Sequence, residues 1–450
     1  MRAFISLKNV CKVLSLLFST ITVLYMIYIV VLVKTVLPGG TFMLPFLQPK
    51  ELEEGPCEGT RSSETIVKVK DSQTYLVAAY LDLRGSSVVR IIGITYRYER
   101  DLLYCDFCFN KTNGTALADL QIHSDHFEFP YGTADLLCDL KGDRIPQYVS
   151  IHREGEPQAT VLQIRNIDAP VEFEYDFLMC ISAMFGSYNN VLQFIQSMEM
   201  YQILGVQKVI IYHTDSSPLI RRVMAHYMKE EFLELISWPI TSFLNVSSGW
   251  HYPEHPGELH YYGQTAALND CLYRHMYRSR YISLNDIDEL ILPAIHKDWR
   301  EMMDFLQQPN PSVSVFEFEN HVFPTALQDK KNPSTPEEWN SVPGLNILKH
   351  VYREPNVPDE INPTKMIVNP RDVVRTSVHV PLDFYGEKYQ VPSDFARLCH
   401  YRQPKQKDLG EDMLIKDDIM AKYENVLVER VNGVLQKVGL LKTIPKNRRQ

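Results

Sequence analysis

The sequence predicts an α/β protein built in series from an apolar N-terminal segment, a β-rich region and a larger region of alternating strands and helices. Two observations carry this. From Thr65 to Asn166 almost every patterned run is β-branched or aromatic, and turn residues separate the runs. After Phe173 the pattern changes to apolar runs of strand length alternating with helical stripes, which implies a mostly parallel sheet with helices on both faces. A third observation sets these regions in place. Val13 to Val33 is 21 residues without a charge, and a spanning helix needs about 20.

Arg2, Lys8 and Lys12 precede the apolar run, and beyond Lys34 come Glu51, Glu53 and Glu54. The positive flank places the N-terminus in the cytoplasm and the body on the other side. The alternative is a cleaved signal peptide, but the run is longer than a signal core and Pro38-Gly-Gly40 is a weak cleavage site. Residues 1–12 therefore read as a tail, 13–33 as a signal anchor and 34–60, with its Pro and Gly, as a stem. Asn110-Lys-Thr112, Asn113-Gly-Thr115 and Asn245-Val-Ser247 are glycosylation acceptor patterns, in keeping with a lumenal body. Cys57, Cys105, Cys108, Cys138, Cys180, Cys271 and Cys399 lie beyond the span. Some should pair in an oxidising compartment, and an odd number leaves one free or intermolecular, which is compatible with a homodimer, disulfide-linked or not. Cys105-x-x-Cys108 has no second Cys or His pair at zinc spacing, so pairing within Cys57 to Cys138 is the better reading.

Residues 61–168 form the β-rich part. The runs Thr65 to Val69, Thr74 to Leu83, Val88 to Tyr98, Gln147 to His152 and Ala159 to Arg165 suggest a small β-sandwich. In residues 169–412, strands are expected at Phe177 to Ala183, Gln207 to Tyr212, Phe232 to Trp238, Tyr281 to Leu284 and Val313 to Phe318. Helices are expected at Asn189 to Leu204, ended by Gly205, at Leu219 to Lys229 and at Gln264 to Arg278. In the first, Val191, Phe194, Ile195, Met198 and Tyr201 form one stripe. Pro324 to Pro363 is Pro-rich and weakly patterned, as functional loops often are. Residues 413–450 contain an amphipathic helix within Ile415 to Leu441 and a basic tail.

The chemistry gathers at a strand end. Tyr281 to Pro293 delivers Asp286, Asp288 and Glu289 just past an apolar strand. Strand side chains alternate faces, so Asp286 and Asp288 point the same way while Ile287 turns inward. Two carboxylates on one face suit a hard divalent cation that bridges to substrate phosphates, although an acidic turn has the same spacing. Ligands in alternating sheets bind beyond the carboxyl ends of strands, which favours the functional reading. Asp215, also past a strand, suits a ribose or base, or is an ordinary residue at a helix start. Gln264 suits a sugar hydroxyl or simply opens its helix. Glu317 and Glu319 alternate onto one face of a strand, and supply a general base or line a solvated face. His379 and His400 are isolated in sequence. Trp250 and Trp339 are candidates for stacking on sugar faces.

Composition excludes other classes. With 45% hydrophobic and 22% charged residues the chain is globular. A net charge of −9 and a pI near 5.9 leave no basic field for nucleic acid. No G-x-S-x-G elbow and no P-loop occur.

An ordered set of short motifs carries a resemblance. It runs through Ala79-Tyr-Leu-Asp-Leu-Arg84 and Val89-Arg-Ile-Ile-Gly93, then Gly205-Val-Gln-Lys-Val-Ile-Ile-Tyr212 with Asp215-Ser-Ser217. It continues through Gly263-Gln-Thr-Ala-Ala-Leu-Asn-Asp-Cys271, Asp286-Ile-Asp-Glu289, Lys365-Met-Ile-Val-Asn-Pro370 ahead of His379, and His400-Tyr-Arg402. From about Tyr75 to Arg402 the chain resembles glycosyltransferase family 92. The resemblance implies a GT-A type nucleotide-diphospho-sugar transferase domain over 169–412, preceded by a carbohydrate-binding-like β-domain, in a Golgi type II membrane protein. It implies inverting β-1,4 transfer of galactose from UDP-galactose to galactose or fucose on a glycoprotein glycan, with Mn²⁺ as cofactor. Asp286 and Asp288 then hold the metal with His400, or His379 second. Asp215, Gln264, Lys365 and Arg402 lie on the donor side, and Glu319, then Glu317, is the base. The competing class is a lumenal glycan-binding protein or pseudoenzyme, and another UDP-sugar is the competing donor.

Overall fold

In a computed structural model the described residues are 60–441 apart from 62–63, 110–112, 143, 157–159, 330–335, 358–359 and 361. The predicted tail, span and nearly all of the stem lie outside them, as do Cys57 and Asn110. Among the described residues no helix is long and apolar enough to cross a membrane.

The β-rich region is one nine-stranded sheet. Its order is Thr60–Arg61, Thr160–Arg165, Tyr148–Arg153, Leu103–Cys108, Asn113–Ile122, Tyr131–Asp139, Val88–Tyr96, Thr74–Asp82 and Val67–Lys68. Two separate sheets were the expectation. Instead, Ala79 and Tyr80 pair in parallel with Ile164 and Arg165, which closes the sheet on itself. A register shift between Leu76 and Ala78 bends the strand where closure requires it. Leu81, Ile91, Leu103, Phe107, Leu136 and Ile151 help fill the interior. Within it a Cys105–Cys138 disulfide joins strands that are not neighbours. Cys108 is also disulfide-bonded, so the Cys105-x-x-Cys108 pair is a disulfide element and not a zinc site.

The alternating region forms a seven-stranded sheet. Its order is Leu233–Ser237, Lys208–His213, Tyr175–Met184, Ser279–Asn285, Lys365–Val368, Val313–Phe318 and Glu387–Val391. The first four strands are parallel, and Lys365–Val368 runs antiparallel to both its neighbours. Tyr175–Met184 is flanked by the strand that follows it on one side and by Ser279–Asn285 on the other. Chain connections diverge between these two strands, which is where a doubly wound sheet opens a crevice for ligand.

Helix Val191–Ile203 covers one face of this sheet and Gln264–His275 the other. The predicted stripe of the first helix is buried, but so are its polar residues Gln193, Gln196 and Glu199. The cause is helix Glu424–Lys437, which packs on its outer side, with the Arg430 Nε donating to Glu199 at 2.7 Å. Gly205 (φ 96°) lets the chain reverse after the helix. The Cys180–Cys271 disulfide pins the first strand to helix Gln264–His275, and Cys399 is the free cysteine among the described residues.

That helix also joins the halves. Its outer face shares a core with Tyr75, Tyr80, Ile92 and Ile94 of the curled sheet. Tyr80 and Tyr212, one from each half, both donate to the buried Asp270. Beside it, fully buried Asp135 meets Arg90 of its own sheet, His123 at 3.2 Å and Arg375 of the α/β half at 2.8 Å.

Candidate functional site

The strand Ser279–Asn285 ends in a turn, and Glu289–Pro293 then starts in a different sheet. Asp286 and Asp288 therefore sit on a turn and not on the face of a continuing strand. The alternation expected for them fails because the chain leaves the first sheet at Asn285. Both remain about one third exposed, at 32% and 36%, while Glu289 side chain is 2% exposed.

Two long-range pairings bring their partners. Lys365–Val368 runs antiparallel to Ser279–Asn285 with Met366 opposite Leu284, which carries Lys365 to the turn. Glu289–Pro293 pairs antiparallel with Ala396–Arg402, with Glu289 directly opposite His400. Asn320–Pro324 completes that small sheet on the other side.

The contacts divide the two aspartates. Asp286 Oδ2 accepts from the Lys365 Nζ at 2.8 Å, and its Oδ1 accepts from the Gln264 Nε2 at 3.0 Å. Gln264 also donates to the Ser182 Oγ at 2.7 Å, tying the turn to the end of the first strand. Asp288 instead faces the His400 Nε2 at 3.4 Å. Burial pushes the Asp286 carboxyl up, but the Lys365 charge and hydrogen bond outweigh it and hold the group below its ordinary range. Burial lowers the His400 imidazole, and Glu289 and Asp288 together raise it above its usual value. His379 donates from Nδ1 to the Thr364 carbonyl at 3.0 Å, and burial and Lys365 bring it down to about 4.

Several sequence expectations change here. Lys365 and Gln264 were placed on the donor side. Both are buried, and both donate to Asp286, Gln264 also to Ser182 and Lys365 also facing Glu289. Glu317 and Glu319 do not share a strand face, because the strand ends at Phe318 and Asn320 begins another sheet. Glu317 is buried beside Lys388 at 3.2 Å, and Glu319 accepts from Ser393 at 2.6 Å. Among the described residues neither is hydrogen-bonded or ion-paired to Asp286, Asp288 or His400. Trp339 is core, with its Nε1 donating to Asn432 at 2.7 Å, so it cannot stack on a sugar. Trp250 is 66% exposed.

Asp215 faces Arg221 at 3.5 Å. Ser217 caps helix Pro218–Lys229, so Asp215 is not needed there. Its backbone N–H reaches the Met184 carbonyl at 3.2 Å, which fixes it beside the end of the first strand, and its carboxylate is exposed. Arg402 is exposed at the end of the strand that carries His400.

Sequence reading passed over Tyr261 and Tyr262, which occupy left-handed backbone (φ 35° and 60°) just before Gln264. Such conformations are costly for tyrosine and persist where surroundings enforce them, often at functional sites. The Tyr261 N–H is held by the buried Ser247 Oγ at 2.8 Å, and its ring stands edge-on to Phe185 at 5.1 Å. Burial, then Asp286 and Asp288, push its phenol up to about 12, so it stays neutral facing both acids. The Gly263 cap (φ 69°) was the sequence signal for this tight entry.

Comparison with known proteins gives these likenesses. The model of glycosyltransferase family 92 matches residues 175–432, more than half of the chain. A Caenorhabditis elegans protein named beta-1,4-galactosyltransferase galt-1 is 22% identical over 389 residues, covering 79% of this chain and 81% of the relative. Glycosyltransferase family 92 protein F13G3.3 of the same organism is 24% identical over 275 residues, 59% of this chain and 50% of that protein. Among solved structures, the mannosyltransferase PcManGT from Pyrobaculum calidifontis, in complex with GDP-Man and Mn2+, is matched at 10% identity and a TM-score of 0.26, over 63% of this chain and 80% of that one.

Proposed function

The chain belongs to glycosyltransferase family 92 and on that ground is a glycosyltransferase, and from this premise we propose that it transfers galactose from UDP-galactose to a glycan acceptor, forming a β-1,4 linkage with inversion and using a divalent cation, Mn²⁺. The named relative galt-1 supports the sugar and the linkage. The observation that carries the metal is the pairing of Glu289 with His400, which sets an imidazole against Asp288 at the crevice of the sheet.

The donor set has the chemistry of such an ion; among the described residues no three acid, histidine or cysteine side chains already converge on one point, so Asp286, Asp288 and His400 would close around it. Asp288 and Asp286 offer hard oxygen and His400 offers a nitrogen, a mixture suited to manganese. Asp286 and Asp288 stay partly open to solvent beside Lys365 and His400, so their oxygens can reach an ion in the crevice, while burial raises the Glu289 carboxyl to about 7 against the pull of Lys365 and His400. Asp288 and the His400 Nε2 would hold the cation directly, with Asp286 steadied by Gln264 and Lys365. A cation held there would supply neutralisation of the charge on the leaving diphosphate. Exposed Arg402 adds positive charge on the same side, and Asp215 faces the nucleoside. The neutral Tyr261 phenol offers a hydrogen bond without adding charge. In this reading the protein is a Golgi type II membrane protein, and the Cys105–Cys138 and Cys180–Cys271 disulfides suit that oxidising lumen.

The test uses the full-length protein with Mn²⁺, tritiated UDP-galactose and an array of glycan acceptors, beside UDP-glucose and UDP-N-acetylglucosamine. Galactose should be incorporated, and lost on chelation. Tight glycan binding without turnover of any donor would instead identify a glycan-binding protein.

A further inference from the structure

Glu289 is the acid of the motif that the turn keeps out of solvent, and a buried carboxylate needs partners. Its two oxygens are divided between two tasks. Oε1 lies 3.2 Å from the His400 Nδ1. Oε2 accepts the backbone N–H of Asp286 at 3.3 Å and lies 3.5 Å from the Lys365 Nζ. One side chain thus touches the histidine, the lysine and the backbone that carries the first aspartate.

An imidazole binds a cation through a ring-nitrogen lone pair, and the hydrogen bond at the other nitrogen decides which one carries it. An acceptor at Nδ1 keeps the proton there and frees Nε2, and Nε2 is the nitrogen that faces Asp288 at 3.4 Å. The other group at Nδ1 is Asn320, whose Nδ2 lies 3.5 Å away. Turning that amide end for end points its Oδ1, otherwise without a partner, at the ring, so Asn320 can also accept. The contact does not depend on a loop, because Glu289 and His400 are opposite residues of an antiparallel pair.

We propose that Glu289 is the positioning residue of the cation site: by accepting the Nδ1 proton of His400 it fixes the tautomer that presents Nε2 beside Asp288. This rests on the reading of Asp288 and His400 as cation ligands. A glutamine at 289 serves only one side, because its NH2 must face either the ring proton or the lysine and backbone donors.

The experiment measures Mn²⁺ affinity of the full-length protein by electron paramagnetic resonance of the free ion, independently of turnover. Glu289→Gln should weaken binding by about tenfold or more. In a His400→Ala background the same change should add nothing. Wild-type affinity in Glu289→Gln, or an equal loss in both backgrounds, overturns the proposal. Should Glu289→Gln fail to fold, nitrogen NMR of ¹⁵N-histidine-labelled wild-type protein at about pH 9, well above the ordinary histidine range, decides. A protonated Nδ1 on His400 is expected, and a protonated Nε2 overturns the proposal. If the wild type binds no Mn²⁺, the metal reading fails instead, and the tautomer is still read.

Discussion

Two charge clusters differ in their exposure. At the junction of the halves, Asp135 and Asp82 face Arg84, Arg90, Arg375 and His123, so cations outnumber acids. Asp135 is fully buried, and although burial opposes its ionisation, His123, Arg90 and Arg375 hold it well below the usual carboxylate range. At the turn after Ser279–Asn285, Asp286, Asp288 and Glu289 face Lys365 and His400, and two of the acids stay partly open to solvent. The first cluster is complete and joins two cores. The second keeps Asp286 and Asp288 partly open to solvent where the sheet opens. On the proposed reading that contrast separates a structural network from a binding one.

The contrast can be broken in order of effect. Asp288→Ala should lower transfer by roughly a thousandfold or more, the scale of several kcal/mol of lost charge stabilisation. Its thermal melt should be unchanged, and a lowered melt would make Asp288 structural. Asp135→Asn should do the opposite. Leaving its arginines underpaired should cost about 3–5 kcal/mol in denaturant unfolding, with Mn²⁺ affinity unchanged. Its pH dependence has a fixed sign. Asp135 titrates lower in the folded state than the unfolded value of about 3.9, so its contribution is full above about pH 5 and fades as pH falls towards the folded value. Asp135→Asn should therefore flatten the acid limb of the stability profile. Glu319→Gln should change turnover by less than about tenfold, since a general base contributes roughly 100- to 10,000-fold and the Glu319 carboxylate is hydrogen-bonded to Ser393.

Local pattern made much of this legible. Strand–helix alternation located the elements that place Asp286 at a strand end, and the Val313–Phe318 strand lies where the pattern put it. Asp106 and Asp135 helped conceal two strands of the curled sheet, because aspartate reads as a turn residue when its buried partners are unseen. The site was legible only in its local half. Lys365 and His400 reach it through pairings with strands far away in sequence, and Glu289 turns inward because a second sheet starts there. Periodicity carries no information about such register. The same gap misled the choice of Glu317 and Glu319, whose alternation ends where the chain changes sheets.

The central claim is that the turn at Asp286 and Asp288 is a cation site. Titration of the full-length protein with Mn²⁺, followed by electron paramagnetic resonance, tests it most directly. One ion bound per chain, lost in Asp288→Ala but retained in Asp135→Asn, is the expected result. Absence of binding in the wild type, or equal binding in Asp288→Ala, would contradict it.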